Sequence, residues 1–134
     1  MLISEWRTNF YPNICDIYPS VVRKLYKKGE VIILDIRQPW EYEDHHIPGA
    51  ILLPLDYFDT LFHIFLKNVK ASSVAIICEH ANRSTRLVYG KPYLFKGIRT
   101  YNVLGGMELW MKMGYEVDKG IDENGKIWVK LLQK

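Results

Sequence analysis

Cys78 stands where an apolar run of the chain gives way to polar residues. The preceding residues 74–77 are β-branched or small, which suits a strand that is buried on both faces. Asn82, Ser84 and Thr85 follow, and their side-chain oxygens can cap the start of a helix. This pattern predicts a strand, a reactive loop and a helix, with the thiol at the carboxyl end of the strand.

The predicted position of the thiol favours its anionic form. In open α/β sheets, ligands bind at the carboxyl ends of strands, where the next helix directs its free N–H groups and its positive dipole end. Arg83 and Arg86 add positive charge nearby, so we expect Cys78 to be a nucleophile. A buried core cysteine is the alternative interpretation, and the polar residues that follow Cys78 argue against it.

An acidic residue, Asp35, lies near the end of a second aliphatic strand, which is predicted at residues 31–36. A carboxylate in such a strand needs a partner, because an isolated charge is costly to bury. We expect Asp35 to accept hydrogen bonds from the loop after Cys78 or to pair with an arginine.

Four residues that can bind metals, Glu41, Asp44, His45 and His46, lie close together in the sequence. Adjacent side chains diverge in a strand or loop, and no further ligand follows at the spacing of a metal site. We therefore predict no metal here and interpret the two histidines as turn and surface residues.

Short apolar strands alternate with helical segments along the chain. Strands are predicted at residues 14–17, 31–36, 51–55, 74–77 and 98–104. This alternation predicts an α/β fold, with a five-stranded parallel sheet, helices on both faces and right-handed crossovers. Pro54 places the third strand at a sheet edge. After the fifth strand, Gly105 and Gly106 predict a tight turn, where the backbone can approach a neighbouring loop closely.

The spacing of apolar residues in the helical segments predicts their buried faces. In the segment that begins near Asp56, Tyr57 and Ile64 widen the apolar arc. This wide apolar arc has two interpretations: it is a surface for self-association, or the rest of the domain covers it. Pro92 interrupts the segment 83–95, so a kink or two short helices are expected there. The predicted core residues of the first and last helices are Val21, Val22, Leu25, Met107, Trp110 and Met111.

The length of 134 residues, with 49% hydrophobic and 25% charged residues, predicts one compact globular domain. We interpret residues 1–13 as an irregular surface extension, residues 14–117 as the core, and residues 118–134 as an addition at its end. In that addition, Asn124 and Gly125 precede an alternating segment, which favours a hairpin with a two-residue turn.

Charge and apolar patterning argue against several classes of protein. The net charge of +3 is mild, and basic residues form no stripe with aromatic ones, so no nucleic-acid partner is expected. The sequence has no apolar run near about 18 residues and no secretory signal, so we predict no membrane association and a cytoplasmic location. Cys15 and Cys78 lack metal-ligand spacing, which fits a reducing compartment, and Cys15 is most simply a core residue.

Three separated stretches resemble the rhodanese (sulfurtransferase) family. Cys78 and Arg83, with four residues between them and Ser84 after them, resemble the family's active-site loop. Residues 34–50, which run from LDIRQPWEY to HIPGA, resemble its LDVRxxxEYxxxHIPGA signature. Residues 104–115, from LGGMELW to GY, resemble its GGxxxW signature. The three matches agree with the family in residue type, order and spacing.

The resemblance implies a reaction and a set of site residues. Thiolate Cys78 would take a sulfane sulfur from thiosulfate or a persulfide and pass it to a thiol or cyanide acceptor, without a cofactor. The partners are then a small sulfur donor and acceptor or a protein persulfide, and the chain is a monomer or homodimer. Asp35 and Arg37 are implied to support the loop structurally. The residues expected to bind the substrate, mainly through backbone amides, are Glu79, His80, Ala81, Asn82, Arg83 and Ser84.

Two loop residues depart from the family's pattern. Ala81 stands where the family often has glycine, and alanine at a positive φ costs of order 1 kcal/mol. Glu79 stands where members active on thiosulfate commonly carry a basic or neutral residue. A carboxylate there disfavours the thiolate and repels a dianion, so we predict weak activity with thiosulfate and better use of a persulfide donor.

Two other functions are open. A cysteine-dependent phosphatase or arsenate reductase of related fold also uses a cysteine-to-arginine loop, but those phosphatases carry five residues between the two, and this chain has four. The shorter loop suits one sulfur atom better than a tetrahedral oxyanion. The second of these functions is a catalytically weak rhodanese module used for protein interaction. The presence of Cys78 and Arg83 argues against it.

Overall fold

Five parallel strands form the sheet of the protein. The computed structural model describes residues 11–133, so most of the predicted extension at residues 1–13 lies outside the described residues. The strands are β1 (Ile14–Ile17), β2 (Ile32–Asp35), β3 (Ile51–Leu52), β4 (Ser73–Ile77) and β5 (Arg99–Val103). Their order is β1-β5-β4-β2-β3, which confirms the predicted parallel sheet and the edge position of the third strand.

Helices connect the strands and cover both faces of the sheet. They are α1 (Pro19–Lys27), α2 (Pro39–Asp44), α3 (Phe58–Asn68), α4 (Asn82–Gly90), α5 (Gly106–Lys112) and α6 (Ile127–Leu132). Short 3-10 turns occupy Leu55–Tyr57, Pro92–Phe95 and Glu123–Gly125. Within residues 11–133, no helix combines the length and the apolar character that crossing a membrane requires.

The two sides of the sheet carry separate apolar cores. One core packs α3, α4 and α6 against the sheet, and the other packs α1, α2 and α5. Val22 and Trp110 are fully buried as predicted, whereas the predictions for Val21 and Met111 are wrong, because these side chains are 45% and 44% exposed. Val21 directly precedes the buried Val22 and Met111 directly follows the buried Trp110, and adjacent residues of a helix point to different sides.

The interruption predicted in the segment 83–95 is confirmed. Helix α4 ends at Gly90, and a 3-10 turn at Pro92–Phe95 follows it. Proline has no N–H to continue the hydrogen-bond ladder of the helix, so the chain changes direction before Phe95 enters the core.

The predicted C-terminal hairpin is wrong, because this segment folds as a 3-10 turn and the helix α6. The side chain of Asp122 accepts the N–H of Gly125 at 2.9 Å, so Asn124 and Gly125 lie in a capped helical turn. Leu131 is buried in the core beside α3, and the ring of Trp128 stacks on Tyr57 at 5.9 Å. Helix α6 thus covers part of the apolar arc of α3, which supports coverage by the same chain.

His46 is fully buried, so its interpretation as a surface residue is wrong. Its ring stacks on Tyr42 at 3.7 Å, Nδ1 lies 2.8 Å from the Tyr42 carbonyl, and Nε2 lies 3.1 Å from Asp122 Oδ2. The Tyr42 hydroxyl also lies 2.8 Å from Asp122 Oδ1. Asp122 therefore joins the C-terminal segment to the motif that contains His46.

Asp122→Ala is expected to lower the free energy of unfolding by about 1–3 kcal/mol, because the buried Nε2 of His46 loses its partner and the Tyr42 hydroxyl keeps only the Ala50 carbonyl. Burial raises the pKa of Asp122, but its bonds to Tyr42, Gly125 and His46 outweigh burial and hold the pKa below its usual value. The contribution of Asp122 is therefore present above the usual pKa and is lost as the pH falls through the lowered one. Urea unfolding at several pH values measures this, with Asp118→Ala as control; equal losses in both variants would contradict the assignment.

Candidate functional site

Cys78 directly follows β4, the strand between β2 and β5, as predicted. Its Sγ accepts a hydrogen bond from the backbone N–H of Ser84 at 3.3 Å, and the Ser84 hydroxyl lies 3.5 Å from the sulfur. That N–H belongs to the first turn of α4, where helix N–H groups have no partner within the helix. The sequence predicts that main-chain N–H groups face the thiol, and the structure has one such contact, from Ser84.

The sulfur lies beneath the loop. Cys78 and Ser84 are fully buried, whereas the side chain of His80 is 56% exposed and that of Arg83 is 33% exposed. A reactant from solvent therefore reaches the sulfur only when part of the segment 79–83 moves.

The backbone of the loop is docked onto the start of α5. Met107 N–H donates to the carbonyl of Cys78 at 2.9 Å, and Glu108 N–H donates to the carbonyl of Glu79 at 3.0 Å. Because a trans peptide directs its C=O and N–H groups oppositely, the N–H groups of Glu79 and His80 point away from α5. The loop thus uses its carbonyl groups for attachment and leaves its amides available.

Gly106 permits this close docking, as its sequence position predicts. A Cβ at Gly106 would lie 2.4 Å from the Cys78 carbonyl oxygen and 2.6 Å from that of Glu79. Both distances are well inside van der Waals contact, so the loop reaches α5 only over a glycine.

Asn102 of β5 holds the start of α4. Its side-chain amide donates to Thr85 Oγ1 at 2.9 Å and to Asp16 Oδ1 at 3.1 Å, and Asp16 also accepts the Tyr89 hydroxyl at 2.8 Å. The helix turn that contains Ser84 is thereby attached to β1 and β5. Sequence reasoning missed this network, because a polar residue inside a strand predicts a contact without indicating its partner.

A fully buried ion pair lies at the end of β2. Arg37 Nε and Nη2 donate to the two carboxylate oxygens of Asp35 at 3.0 and 2.9 Å, and both side chains are fully buried. Arg37 also donates to the carbonyl of His45 at 2.6 Å and to Glu79 at 3.0 Å. Burial lowers the pKa of Arg37, but the charge and hydrogen bonds of Asp35 raise it further, so the guanidinium stays charged. The expected partner of Asp35 is therefore Arg37, which links β2 to the loop.

Glu79 does not lie free beside the thiol. Its Oε1 forms the salt bridge with Arg37 and lies 3.6 Å from His45 Nε2, and its side chain is 24% exposed. The neighbouring guanidinium offsets the charge that the sequence analysis assigned to this position. The repulsion of an anionic donor should therefore be smaller than for an unpaired carboxylate.

Arg83 is turned towards Glu41 of α2. Its Nη1 and Nη2 donate to the two Glu41 oxygens at 2.7 and 2.8 Å. Burial raises the pKa of Glu41, but the hydrogen bonds from Arg83 and the Gln38 backbone outweigh burial and lower it, while the bond to Glu41 raises the pKa of Arg83. Glu41 therefore offsets part of the positive charge that Arg83 was expected to add near Cys78. The sequence indicates Glu41 only as a candidate metal ligand and as part of the matched motif, and it does not predict that Glu41 binds Arg83.

His80 lies on the outer surface of the loop. Its Nδ1 is 3.1 Å from Glu108 Oε2, and both side chains are about half exposed. Asn82 is also exposed and begins α4. Substrate binding by these two residues stays a prediction.

Ala81 is the one non-glycine residue within residues 11–133 that has a positive φ, which is 69°. It directly precedes α4, and its carbonyl accepts the N–H of Thr85 and the Ser84 hydroxyl. These contacts hold the backbone in the left-handed region, where alanine is strained. The strain anticipated for this position is present.

Ala81→Gly is expected to stabilise the protein by up to about 1 kcal/mol, because glycine adopts this conformation without strain. Ala71 lies in a loop without a positive φ, so Ala71→Gly is the matched control and should be destabilising. Urea unfolding of both variants measures the difference. A loss of stability in Ala81→Gly as large as in the control would contradict the strain.

Two clefts border the loop, on either side of the pair formed by Arg83 and Glu41. One has a volume of about 310 Å³ and is lined by Arg37, Trp40, Glu41, Asp44, His45, Glu79 and His80. The other has a volume of about 280 Å³ and is lined by Leu55, Arg83, Arg86, Leu87 and Lys91. A larger cleft of about 540 Å³ lies at the opposite end of β4, away from the cysteine. In the described part of the chain, no group of three or more His, Cys, Asp or Glu side chains is placed to hold a metal ion.

The comparisons with known proteins agree with this geometry. The family model for the rhodanese-like domain matches residues 18–113. A rhodanese-related protein from Thermoplasma volcanium is 27% identical, with a TM-score of 0.63, over 77% of this chain and 96% of that one. A thiosulfate sulfurtransferase from Pseudomonas aeruginosa is 26% identical, with a TM-score of 0.59, over 78% of this chain and 20% of its own length.

A third similar structure shows the fold alone. It is a protein of unknown function from Rhodopseudomonas palustris, a possible tyrosine phosphatase, and it is 20% identical to this chain. The match covers 84% of this chain and 90% of that one, with a TM-score of 0.68. The sheet order and the position of the loop after the central strand therefore agree with the family match, which covers residues 18–113.

Proposed function

Because this chain belongs to the rhodanese-like domain family, we propose that it is a sulfurtransferase and that Cys78 carries the transferred sulfur. The observation that carries the proposal is the hydrogen bond from Ser84 N–H to Cys78 Sγ, at the end of a central strand. A main-chain donor on the sulfur stabilises the thiolate and, later, an anionic persulfide. The free amides of Glu79 and His80 can contribute to the same stabilisation once the loop adjusts to a larger occupant.

The reaction has two displacement steps at sulfur. The Cys78 thiolate attacks the sulfane sulfur of the donor, a new S–S bond forms, and the old bond leaves its electron pair on sulfite or a thiolate. A second thiolate or cyanide then attacks the terminal sulfur and releases the Cys78 thiolate. Charge and electrons balance in each step, so neither a metal nor an organic cofactor is invoked.

The intact mass of the protein after exposure to sulfane donors tests the proposal. Thiosulfate and an alkyl persulfide are incubated with the parent, with Cys78→Ser and with Cys15→Ser. The parent and Cys15→Ser should gain one sulfur atom, while Cys78→Ser should gain none. Burial raises the pKa of Cys15, so this thiol should be the weaker nucleophile. Equal sulfur gain by all three proteins, or none by the parent, would contradict the proposal.

Glu79 should still disfavour thiosulfate, but modestly. Glu79→Gln is expected to raise kcat/KM for thiosulfate about fivefold, since removing a partly compensated like charge is worth about 1 kcal/mol. Glutamine is the suitable replacement because it can still accept the hydrogen bond from Arg37. Steady-state kinetics with thiosulfate and with a monoanionic alkyl persulfide measure the preference, with Glu108→Gln as control. If the ratio of kcat/KM for thiosulfate to kcat/KM for the persulfide is unchanged in Glu79→Gln, Glu79 does not influence which donor the protein prefers.

The phosphatase alternative is disfavoured by the engagement of Arg83. Both terminal nitrogens of its guanidinium bind Glu41, so this group is not arranged to hold a phosphate. An aryl phosphate assayed beside a sulfane donor separates the two reactions. We expect turnover with the sulfane donor alone.

The complete burial of Cys78 is the observation that favours the remaining alternative, an interaction module without turnover. In a sulfurtransferase, the loop must open often enough for a donor to enter. Alkylation rates of Cys78 with a small and a bulky thiol reagent report that opening. A thiol that reacts only when the protein unfolds would support the interaction module.

A further inference from the structure

The cleft beside α4 has an apolar floor and a cationic rim. Arg86 and Leu87 lie three and four residues after Arg83, so both are on the side of the helix that carries Arg83. Lys91 lies just past the end of α4, and Leu55 faces the cleft from the turn after β3. This composition suits an organic anion, whose apolar part contacts the leucines while its charge meets the rim.

Arg86 carries the charge of this rim that is not compensated. Arg83 is bound to Glu41 through two hydrogen bonds, and Lys91 Nζ lies 3.1 Å from Asp59 Oδ2. Arg86 is exposed and has no carboxylate partner among residues 11–133. A free guanidinium at the edge of an apolar cleft is well matched to a carboxylate, which it can bind through two parallel hydrogen bonds.

The cleft lies next to the loop that carries the thiol. Arg83 lines the cleft and directly precedes Ser84, whose N–H contacts Cys78 Sγ. Arg86 lies about one helical turn further along α4. A molecule whose reactive end enters the loop can therefore extend its other end towards Arg86.

We propose that this cleft selects an organic sulfur donor that has a carboxylate, separated from its sulfane sulfur by an apolar spacer, and that Arg86 is the specificity-determining residue. The proposal rests on the proposed function and names its donor class. Inorganic thiosulfate has no apolar spacer, so it cannot contact Leu55 and Arg86 while it reacts in the loop. A carboxylate-bearing donor gains both contacts, and it should be preferred over its uncharged counterpart.

An arenethiosulfonate tests the donor class with balanced chemistry. The Cys78 thiolate attacks its terminal sulfur, an S–S bond forms to Cys78, and the bond between the two sulfur atoms of the donor breaks. The electron pair leaves with the arenesulfinate. No proton, oxidant or reductant is consumed in this step, and the sulfinate is the product to be quantified.

The experiment compares 4-carboxybenzenethiosulfonate with benzenethiosulfonate in steady-state kinetics. In Arg86→Gln, we expect the ratio of kcat/KM for the carboxylated donor to kcat/KM for the unsubstituted donor to fall about tenfold, which corresponds to about 1.4 kcal/mol, because the KM of the carboxylated donor rises. The ratio cancels any effect of Arg86 on the thiol itself, since both donors react with the same sulfur. Arg86→Lys retains the charge and should recover part of the loss. Lys96→Gln removes an equal charge from an exposed residue outside the cleft and should leave the ratio of the two donors at the parent value.

An unchanged donor ratio in Arg86→Gln, or the same change in Lys96→Gln, would overturn the proposal. Thermal unfolding of each variant checks that the fold is intact. Calorimetric titration with unreactive 4-carboxybenzenesulfonate separates this proposal from the proposed function. Binding that depends on Arg86, without any sulfur gain at Cys78, would refute the sulfurtransferase and keep the anion site. Sulfur gain at Cys78 without binding that depends on Arg86 would support the sulfurtransferase and refute the anion site.

Discussion

Gly106→Ala is expected to lower the free energy of unfolding by about 3 kcal/mol or more and to abolish sulfur gain at Cys78. Gly106 has a φ of +59°, and an added Cβ would meet the carbonyl oxygens of Cys78 and Glu79 at 2.4 and 2.6 Å. Both contacts are with backbone, which cannot rotate away as a flexible side chain can. The loop must therefore leave α5 and lose the bonds donated by Met107 and Glu108.

Gly29→Ala provides the control for backbone strain. Gly29 has a φ of +72°, and nothing lies within 4 Å of an added Cβ. Its replacement should therefore cost only the strain of the left-handed conformation, about 1 kcal/mol. Urea unfolding and intact mass are measured for both variants. If Gly106→Ala costs no more than Gly29→Ala and still gains sulfur, the close docking of the loop has no role.

The position of the cysteine could be predicted because it depends on local pattern. Aliphatic residues mark β2 and β4, and Pro54 marks the edge strand. Once a parallel sheet is predicted, the side chains that follow its strands must meet at one edge. This reasoning places Cys78 at the end of a central strand and predicts that Asp35 has a partner nearby.

The partners of the charged residues could not be predicted in the same way. For Asp35, the family resemblance alone singled out Arg37. For Glu79, any of several arginines could have been the partner, and the choice depends on how the loop sits on β2. The structure assigns Arg37 to both and leaves Arg83 to Glu41 of α2. The contacts of Arg37 with Glu79 and of Arg83 with Glu41 each join residues 42 positions apart, and no periodic pattern carries that information.

The C-terminal segment shows a different failure. Asn124 and Gly125 form a strong hairpin signal when strands flank them. Here the side chain of Asp122 accepts the N–H of Gly125, and Leu131 finds an apolar surface on α3. Tertiary contacts thus stabilise the helix α6 over the locally favoured turn.

Asp35→Ala is expected to lower the free energy of unfolding by about 3–5 kcal/mol, because it leaves a buried guanidinium without its main partner. Arg37 is fully buried and donates to both Asp35 oxygens, so Glu79 and the His45 carbonyl cannot replace the lost contacts. The same change should loosen the loop, since Arg37 is its link to β2. Urea unfolding and the rate of Cys78 alkylation measure the two effects.

A double variant separates the pair from the cost of an unpaired charge. Asp35→Leu combined with Arg37→Met removes both charges, so its loss of stability should be smaller than that of Asp35→Ala. The partly exposed pair of Arg23 and Glu116 is the surface control, and Glu116→Ala should cost about 1 kcal/mol. If Asp35→Ala costs no more than that control, Arg37 must be hydrated in solution. The loop would then be held through α5 alone, and Gly106→Ala would remain the change that releases it.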